Sequence, residues 1–408
     1  MLEVIISEPR IVQYESSTRL EADVEFISEE LSGSKLLYFE VDKQFGHYFC
    51  YERCDAFVLA LLMFLMEKNE EYGNITLKSK TPISERLWFT LTTWWMPTVV
   101  NNTERYGLID IDMPLDSQML NNAGAVATGI SGGVDSTYTV ARYSQAPGSY
   151  KLTHGIFLNW RNSKDREITK HYDELERRVA KKVCDSAGIQ FLEVRSNITR
   201  DLYIEAHAAI ITAVFSSYIM SLQKLISHYY FSSGYEASSY ELVDHDMTHY
   251  DLFSLPYFAT ENLDFFLAGS EVSRIEKVDY ISNFEWTKNT LTVCGHWDEN
   301  DHQCSQCSKC TRTMCELDVL GKLDEYKNRF DIETFRKNPE YYYGYVLMMK
   351  NRQGYCKEIY EEMRQRGINI PLSYWIAAFK KLFQRGFHPE NPHARNYRTR
   401  NLDDVLNA

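Results

Sequence analysis

Between residues 123 and 233, apolar strand-like runs alternate with helix-like segments, and this alternation limits the fold more than any other feature of the sequence. The strand-like runs occupy residues 123–130, 151–158, 190–194 and 228–233. Between the second and third runs, apolar residues recur at helical spacing from Ile168 to Val183, and the pattern stops at Gly188. Strands that alternate with helices in this way predict an α/β fold, in which crossover helices connect the strands of a parallel sheet.

The segments on either side depart from this alternation. Residues 1–118 combine strand-like runs, such as KLLYFEVDK and LWFTLTTWW, with one apolar helix around residues 56–68. Towards the C-terminus, YCKEIYEEMRQRG and YWIAAFKKLFQRG have helical patterns that each end at a glycine. We therefore predict three parts: an N-terminal α+β accessory domain (1–118), an α/β domain (119–321) and a helical C-terminal region (322–408).

The first strand of the alternating region leads into the loop SGGVDS and then into a helix-like segment. At such a junction the helix N-terminus offers N–H groups and a positive dipole end, which favour a phosphate. Gly132 and Gly133 let the backbone approach phosphate oxygens, and the hydroxyls of Ser131 and Ser136 add donors. Because Asp135 would repel bare phosphate, we expect it to meet a bridging Mg²⁺ or to interact with the helix N-terminus. The alternative is a glycine turn that binds no ligand.

The loop fits neither G-x-x-x-x-G-K-[ST] nor G-x-G-x-x-G. In its strand–loop–helix setting it resembles the pyrophosphate-binding loop of the PP-loop, or N-type, ATP pyrophosphatase superfamily. The resemblance implies a Rossmann-like domain that binds ATP and Mg²⁺, splits ATP between the α and β phosphates, and adenylates a substrate oxygen. Residues just beyond the strand ends are then candidates for nucleotide or substrate contacts. These candidates are Asn159, Gly234, Tyr235 and Glu236.

A cluster of cysteines near residue 300 has the spacing of a metal site. Cys294, Cys304, Cys307 and Cys310 are separated by nine, two and two residues. Two-residue gaps let neighbouring sulfurs converge on one ion, and four thiolates form the closed tetrahedral site of structural zinc. We therefore predict a four-cysteine Zn²⁺ site that stabilises a loop and takes no part in the chemistry.

Two alternatives to this ligand set are open. His296 and His302 could replace a cysteine, although exposed loop histidines also explain them. With Cys315, the last three cysteines approximate the iron–sulfur run C-x₂-C-x₂-C-x₃-C, but the last gap is four residues and no proline follows. The remaining cysteines are most simply buried or free thiols. These are Cys50, Cys54, Cys184 and Cys356.

A PP-loop region followed by one-plus-three cysteines resembles 7-cyano-7-deazaguanine synthase, and the resemblance covers residues 120–321. It implies that ATP activates a carboxylate or amide, such as that of a deazapurine, for attack by a nitrogen nucleophile. Under this resemblance Asp135 and Lys277 are predicted to be catalytic and Arg274 to bind ATP. Arg312 matches the family's arginine after the last cysteine, although it stands two positions on instead of three. Lys277 and Arg274 lie in VSRIEK, which resembles the family's Lys-x-Glu segment loosely, so an exposed helix face also explains them.

Simple members of that family lack the segments 1–118 and 322–408. The chain is more similar to enlarged relatives in bacterial accessory and antiviral operons, so we expect a small-molecule substrate and a protein partner at the N-terminal domain. The formal net charge of −13, from 57 acidic and 44 basic residues, disfavours nucleic acid. Two alternative functions stay open: a PP-loop enzyme that modifies tRNA, and a non-catalytic ATP-binding subunit of a multi-protein complex.

Three features predict the cellular setting. MLEVIISEPR lacks the basic region of a secretory signal. The apolar segments at residues 57–66 and 206–223 are too short or too polar to cross a bilayer and are predicted to be buried helices. Clustered cysteines fit metal binding in a reducing compartment better than a disulfide framework. We therefore expect a cytoplasmic protein without membrane association.

Overall fold

The structure is a computed structural model that describes residues 1–29, 32–160, 166–203, 208–297, 302–385 and 399–407. The strands in these ranges are β1 (Leu2–Ile6), β2 (Arg10–Gln13), β3 (Ser17–Ile27), β4 (Ser32–Asp42), β5 (Ile75–Ser79), β6 (Ile83–Ser84), β7 (Asp110–Asp112), β8 (Leu115–Asp116), β9 (Ala125–Gly129), β10 (His154–Asn159), β11 (Gln190–Ser196), β12 (Ile226–Ser232) and β13 (Asp264–Ala268). The α-helices are α1 (Asp55–Tyr72), α2 (Glu85–Thr90), α3 (Met96–Asn102), α4 (Val134–Tyr143), α5 (Arg166–Ala187), α6 (Ile198–Leu202), α7 (Ile211–Met220), α8 (Asp251–Tyr257), α9 (Arg274–Ser282), α10 (Ser308–Val319), α11 (Ile332–Lys337), α12 (Pro339–Met349), α13 (Gly354–Gln365), α14 (Leu372–Arg385) and α15 (Leu402–Asn407).

One mixed sheet of eleven strands runs through the described part of the chain, in the order β13-β12-β9-β10-β11-β4-β3-β1-β5-β7, with β2 paired to β3. Strands β9 to β13 pair in parallel. The N-terminal strands continue the same sheet through the antiparallel pair β11–β4. Strands β6 and β8 form a separate pair. The α/β class, with a mostly parallel central sheet and flanking helices, is therefore confirmed.

The elements predicted between residues 123 and 233 are present. The four strand-like runs correspond to β9, β10, β11 and β12, and the helix that stops at Gly188 is α5. The two helical patterns near the C-terminus are α13 and α14. Sequence reasoning missed β13, a strand of five residues at the edge of the sheet that leaves Phe266 exposed.

The prediction of a strand at residues 87–95 is wrong. These residues are helical and run from α2 through a π-helical turn at Leu91–Trp95 into α3. Leu87, Leu91 and Trp95 are buried at intervals of four residues, so they share one helical face. Ser84 caps α2 by accepting a hydrogen bond from the N–H of Leu87. This four-residue spacing outweighs the strand preference of the aromatic and β-branched residues.

In the parallel part of the sheet, successive strands are added on one side of β9 and then on its other side, so the strand order reverses at β9. Strands β10 and β11 lie on one side of β9, and β12 and β13 lie on the other. In open α/β sheets, ligands bind in the crevice that such a reversal creates at the C-terminal edge. Residues 131–136 follow β9 directly, so the loop lies at this crevice.

Two buried cores extend across the predicted domain boundaries. The first joins the N-terminal strands and the wholly buried residues 57–66 of α1 to β9–β12 and α7. The second joins α4, α9 and α10 to α12 and α13. The divisions at residues 118/119 and 321/322 stay predictions, and packing is continuous across both. Among the described helices, none is both long and apolar enough to cross a membrane.

Candidate functional site

The loop after β9 is tightly folded against the chain near residue 292. Gly132 has a φ of 74°, a conformation that side chains with a Cβ avoid. A Cβ at this position would lie 2.6 Å from Cγ1 of Val179 and 3.2 Å from Cβ of Thr292. The carbonyl of Gly132 accepts a hydrogen bond of 2.7 Å from the N–H of Thr292. Glycine is therefore required here by both conformation and space.

Hydrogen bonds to serine hydroxyls hold the loop against the start of α4. The Oγ atoms of Ser131 and Ser136 are 3.0 Å apart, and the N–H of Ser131 donates to Oγ of Ser136 at 3.3 Å. The N–H of Gly133 donates to Oγ of Ser131, also at 3.3 Å. Gly133 is the N-cap of α4 and has no side chain with which to cap the helix. The first-turn N–H groups of α4 therefore keep their capacity to bind an anion.

Asp135, in the first turn of α4, pairs with two cations from α9. Its carboxylate lies 3.0 Å from Nζ of Lys277 and 3.6 Å from Nη1 of Arg274. Both cations are buried, and their spacing of three residues places them on one face of α9. Burial raises the pKa of Asp135. The positive charges of Lys277 and then Arg274 lower this pKa by more than burial raises it, so the net shift is downward. The structure thus brings together the two residues predicted to be catalytic, and it shows that neither cation lies on an exposed helix face.

A second layer of charge surrounds this cluster. Arg274 donates from Nε to the buried carboxylate of Glu316 at 3.1 Å and from Nη2 to Thr313 at 3.1 Å. Arg312, one turn before Glu316 on α10, has a buried Nε atom without a hydrogen-bond partner among the described residues. Burial lowers the pKa of Arg312, and the charge of Arg274 lowers it further. With Lys277 and Asp135, the cluster holds three cations and two carboxylates, and a third carboxylate, Glu358 of α13, lies near Arg274 with a pKa that burial raises to about 7. The Nε of Arg312, unpaired among the described residues, is the donor that an anionic ligand would satisfy.

The candidates at the strand ends lie at the same edge of the sheet. Asn159 ends β10, and its carbonyl accepts from the hydroxyl of Tyr218 at 3.4 Å. Gly234 follows β12, and its carbonyl accepts from the hydroxyl of Tyr355 at 2.8 Å. The preceding carbonyl, of Ser233, accepts from Nζ of Lys277 at 2.7 Å. The Gly234 segment is thus tied to the cation cluster.

Tyr235 and Glu236 make local contacts beyond that point. The ring of Tyr235 stacks on His249 with a centroid separation of 4.0 Å, and its hydroxyl donates to Asp246 at 3.2 Å. Glu236 accepts from the hydroxyl of Ser238 at 3.0 Å. The sequence offered these residues as loop candidates only. In the structure the ring of Tyr235 is nearly parallel to that of Tyr355, with the two ring centroids 6.5 Å apart.

The four cysteines predicted to bind a metal converge in space. The sulfur atoms of Cys294, Cys304, Cys307 and Cys310 all lie within 4.8 Å of one another. The N–H of Cys307 donates to the sulfur of Cys304 at 3.4 Å, and the N–H of Cys310 donates to the sulfur of Cys307 at 3.5 Å. Hydrogen bonds among the thiols lower the pKa of Cys307. Four converging sulfurs, one of which favours the thiolate, can hold a metal ion such as zinc.

The structure distinguishes the four-cysteine ligand set from the alternatives that include a histidine or Cys315. Among the described residues, the group of possible metal ligands contains neither histidine and does not include Cys315. Cys315 is wholly buried in the core between α10 and the C-terminal helices. The other four cysteines outside the cluster, Cys50, Cys54, Cys184 and Cys356, are buried as well, and burial raises their pKa. The arrangement favours the closed set of four cysteines over the ferredoxin-like run.

The cysteine cluster and the loop after β9 both contact one segment of the chain, residues 291–294. Gln303, next to Cys304, accepts from the N–H of Cys294 at 3.2 Å and donates to the carbonyl of Leu291 at 3.0 Å. Thr292, two residues before Cys294, is the residue that bonds to Gly132. Thr292 also accepts from Nη2 of Arg329 at 2.9 Å. Residues 291–294 thus connect the cysteine cluster to the loop after β9.

Sequence reasoning missed four residues of this site: Thr292, Gln303, Glu316 and Tyr355. Thr292, Glu316 and Tyr355 each contact a predicted residue from a distant segment of the chain, so no local spacing could have identified them. Gln303 lies beside Cys304 within the cysteine run, and this position was the available signal. Two of them, Glu316 and Tyr355, can be recognised only once α9, α10 and α13 are packed together.

No protein-family model, no curated protein and no solved structure matches this chain. The functional conclusion therefore depends on the geometry of the site and on the resemblance of its loop and cysteines.

Proposed function

We propose that this protein is an adenylating enzyme of the PP-loop type, which converts ATP to AMP and pyrophosphate while it activates a carboxylate or amide. The observation that carries the proposal is the group of cations Lys277, Arg274 and Arg312, the last with a buried Nε unpaired among the described residues, beside a glycine loop at the point where the strand order reverses. The N-terminus of α4 adds to the positive potential there. A polyphosphate is the ligand class that this potential and this loop fit best.

In the proposed complex, the β and γ phosphates lie over residues 131–136. The N–H groups at the start of α4 and the hydroxyls of Ser131 and Ser136 donate to their oxygens. Lys277 lies beside the departing pyrophosphate, and Asp135 fixes the position of Lys277 through their 3.0 Å ion pair. Charge stabilisation of this kind is commonly the largest catalytic contribution.

Mg²⁺, when bound, would screen the phosphate oxygens and polarise the α phosphate. The carboxylate of Asp135 already faces Lys277 and Arg274. The ion therefore fits better as part of the incoming Mg–ATP than as a ligand of Asp135 alone, because a third cation at that carboxylate would be repelled.

The acceptor is proposed from the resemblance to 7-cyano-7-deazaguanine synthase. A substrate oxygen attacks the α phosphate, and a nitrogen nucleophile then displaces AMP from the adenylate. Asn159 and Gly234 lie at the strand edge where the adenosine and the acceptor are expected. A deazapurine carboxylate is the first substrate to test. A nitrogen nucleophile larger than ammonia is the second, because the chain resembles enlarged relatives in antiviral operons.

For the cysteine cluster we propose a structural Zn²⁺. Four sulfurs leave no open position for a substrate, so the ion would fix residues 291–294 and, through Thr292, the shape of the loop. The N-terminal region is the proposed site for a protein partner, because Phe89 and Trp94 form an exposed aromatic pair there, with centroids 5.0 Å apart.

The test is ATP–pyrophosphate exchange in the presence of deazapurine carboxylates. Asp135→Ala and Ser131→Ala should abolish exchange and leave the far-UV circular dichroism unchanged. Asp403→Ala is the matched control, because Asp403 is an exposed carboxylate in the first turn of α15. Exchange that survives Asp135→Ala would refute the assignment. Binding of ATP without release of AMP or pyrophosphate would favour the non-catalytic subunit, and tight, salt-sensitive tRNA binding would favour tRNA modification.

A further inference from the structure

Helix α13, from the C-terminal region, reaches the cation cluster through Tyr355 and Glu358. Tyr355, in the first turn of α13, donates from its hydroxyl to the carbonyl of Gly234 at 2.8 Å. Its ring lies 4.4 Å from the guanidinium carbon of Arg312 and 5.4 Å from that of Arg274. One turn later, Glu358 accepts from the N–H of Ile275 at 3.2 Å. Helix α13 therefore holds both the start of α9 and the segment after β12.

The ring of Tyr355 lies at cation–π distance from one side of the Arg312 guanidinium. An aromatic face in contact with the flat side of a guanidinium leaves the in-plane N–H groups directed outwards. Those N–H groups form the paired contacts that arginine makes with phosphate and carboxylate oxygens. In Arg312 one of these donors, Nε, is buried and without a partner among the described residues. Arg274, on the same ring, already reaches Asp135 of the loop.

We infer that Tyr355 is a positioning residue of the nucleotide site, which holds Arg312 so that its N–H groups face the anionic part of the bound ligand. This inference rests on the proposed function. It makes the C-terminal helices part of the site, since without α13 neither the ring nor the contact with Gly234 exists. Arg312 then binds a phosphate or acyl-phosphate oxygen together with the loop.

The experiment compares two leucine substitutions on the same helix. Tyr355→Leu removes the ring from Arg312. Tyr360→Leu is the matched control, because Tyr360 also lies on α13 and has a cation, Nζ of Lys350, 4.8 Å from its ring centroid. ATP affinity is measured by equilibrium dialysis well below the unfolding temperature, and KM and kcat by pyrophosphate exchange. We expect Tyr355→Leu to weaken ATP binding and raise KM by roughly tenfold, because it removes the cation–π contacts of the ring with Arg312 and Arg274.

Tyr355→Phe provides a second variant that keeps the ring and loses only the hydroxyl. It should bind ATP more tightly than Tyr355→Leu, whereas Tyr360→Leu should match wild type in affinity even where it lowers the unfolding temperature. The inference is overturned if wild type binds ATP and Tyr355→Leu binds it equally well, or if Tyr360→Leu causes the same loss. Wild-type protein that does not bind ATP would instead overturn the proposed function, and the role of Tyr355 with it.

Discussion

Replacement of Gly132 by alanine tests the structure of the loop directly, and the chain contains a matched control. Gly132 and Gly124 both have a φ of 74°. Alanine in this conformation costs about 1–2 kcal/mol at either position. A Cβ at residue 124 has no neighbour within 4 Å, whereas at residue 132 it lies 2.6 Å from Val179 and 3.2 Å from Thr292. Steric overlap of that kind costs about 1–3 kcal/mol more.

Urea unfolding should therefore show a loss of about 1–2 kcal/mol for Gly124→Ala and about 2–5 kcal/mol for Gly132→Ala. Relief of the overlap requires the loop to move away from Thr292, which would disrupt its hydrogen bond to the Gly132 carbonyl. ATP binding should then fall by more than about tenfold in Gly132→Ala and stay at the wild-type level in Gly124→Ala. Equal destabilisation of the two variants, or wild-type ATP affinity in Gly132→Ala, would refute the reasoning.

Two further predictions concern the metal and a buried acid. Cys307→Ser should remove the bound metal, measured by elemental mass spectrometry, whereas Cys315→Ala should retain one zinc per chain and show no iron–sulfur absorbance; loss of metal in Cys315→Ala would favour the ferredoxin-like run. Burial raises the pKa of Asp251 to about 7, and this effect exceeds that of the hydrogen bond from Thr212, which lowers the pKa. The native state then binds more protons than the unfolded state between about pH 4 and 7, so stability falls as the pH rises through this window. Urea unfolding at pH 5 and pH 8 should show wild type losing roughly 2.5 kcal/mol relative to Asp251→Asn, because about two pH units of this window lie between pH 5 and the folded pKa; a constant difference between the two proteins would contradict the assignment.

Local features of this protein were predictable from the sequence. The glycine loop and the two-residue cysteine gaps each place the functional groups within a few residues of one another, so spacing alone indicates the geometry. Strands β9 to β12 of the parallel region were predictable for a similar reason, because buried strands form short continuous apolar runs. The helical face at residues 87–95 was misread because its composition favours strands and its period favours a helix.

Long-range contacts were not predictable. The antiparallel pair β11–β4 joins the N-terminal strands to the parallel sheet, and its register, such as Val194 opposite Val41, follows from no local pattern. The partners of the predicted cations are equally distant. Glu316 lies 42 residues from Arg274, and Tyr355 contacts Gly234 across 121 residues. Such contacts arise only through the packing of whole elements, and that packing brings the C-terminal helices to the site.

The identity of the products tests the central claim most directly. Purified protein is incubated with ATP labelled at the α phosphate, together with deazapurine carboxylates and a nitrogen donor, and the labelled nucleotides are separated. If the loop at residues 131–136 holds the two outer phosphates, the label appears in AMP, an equal amount of pyrophosphate forms, and Asp135→Ala forms neither. Label in ADP with release of inorganic phosphate would contradict the account, because the bond broken would then lie between the β and γ phosphates.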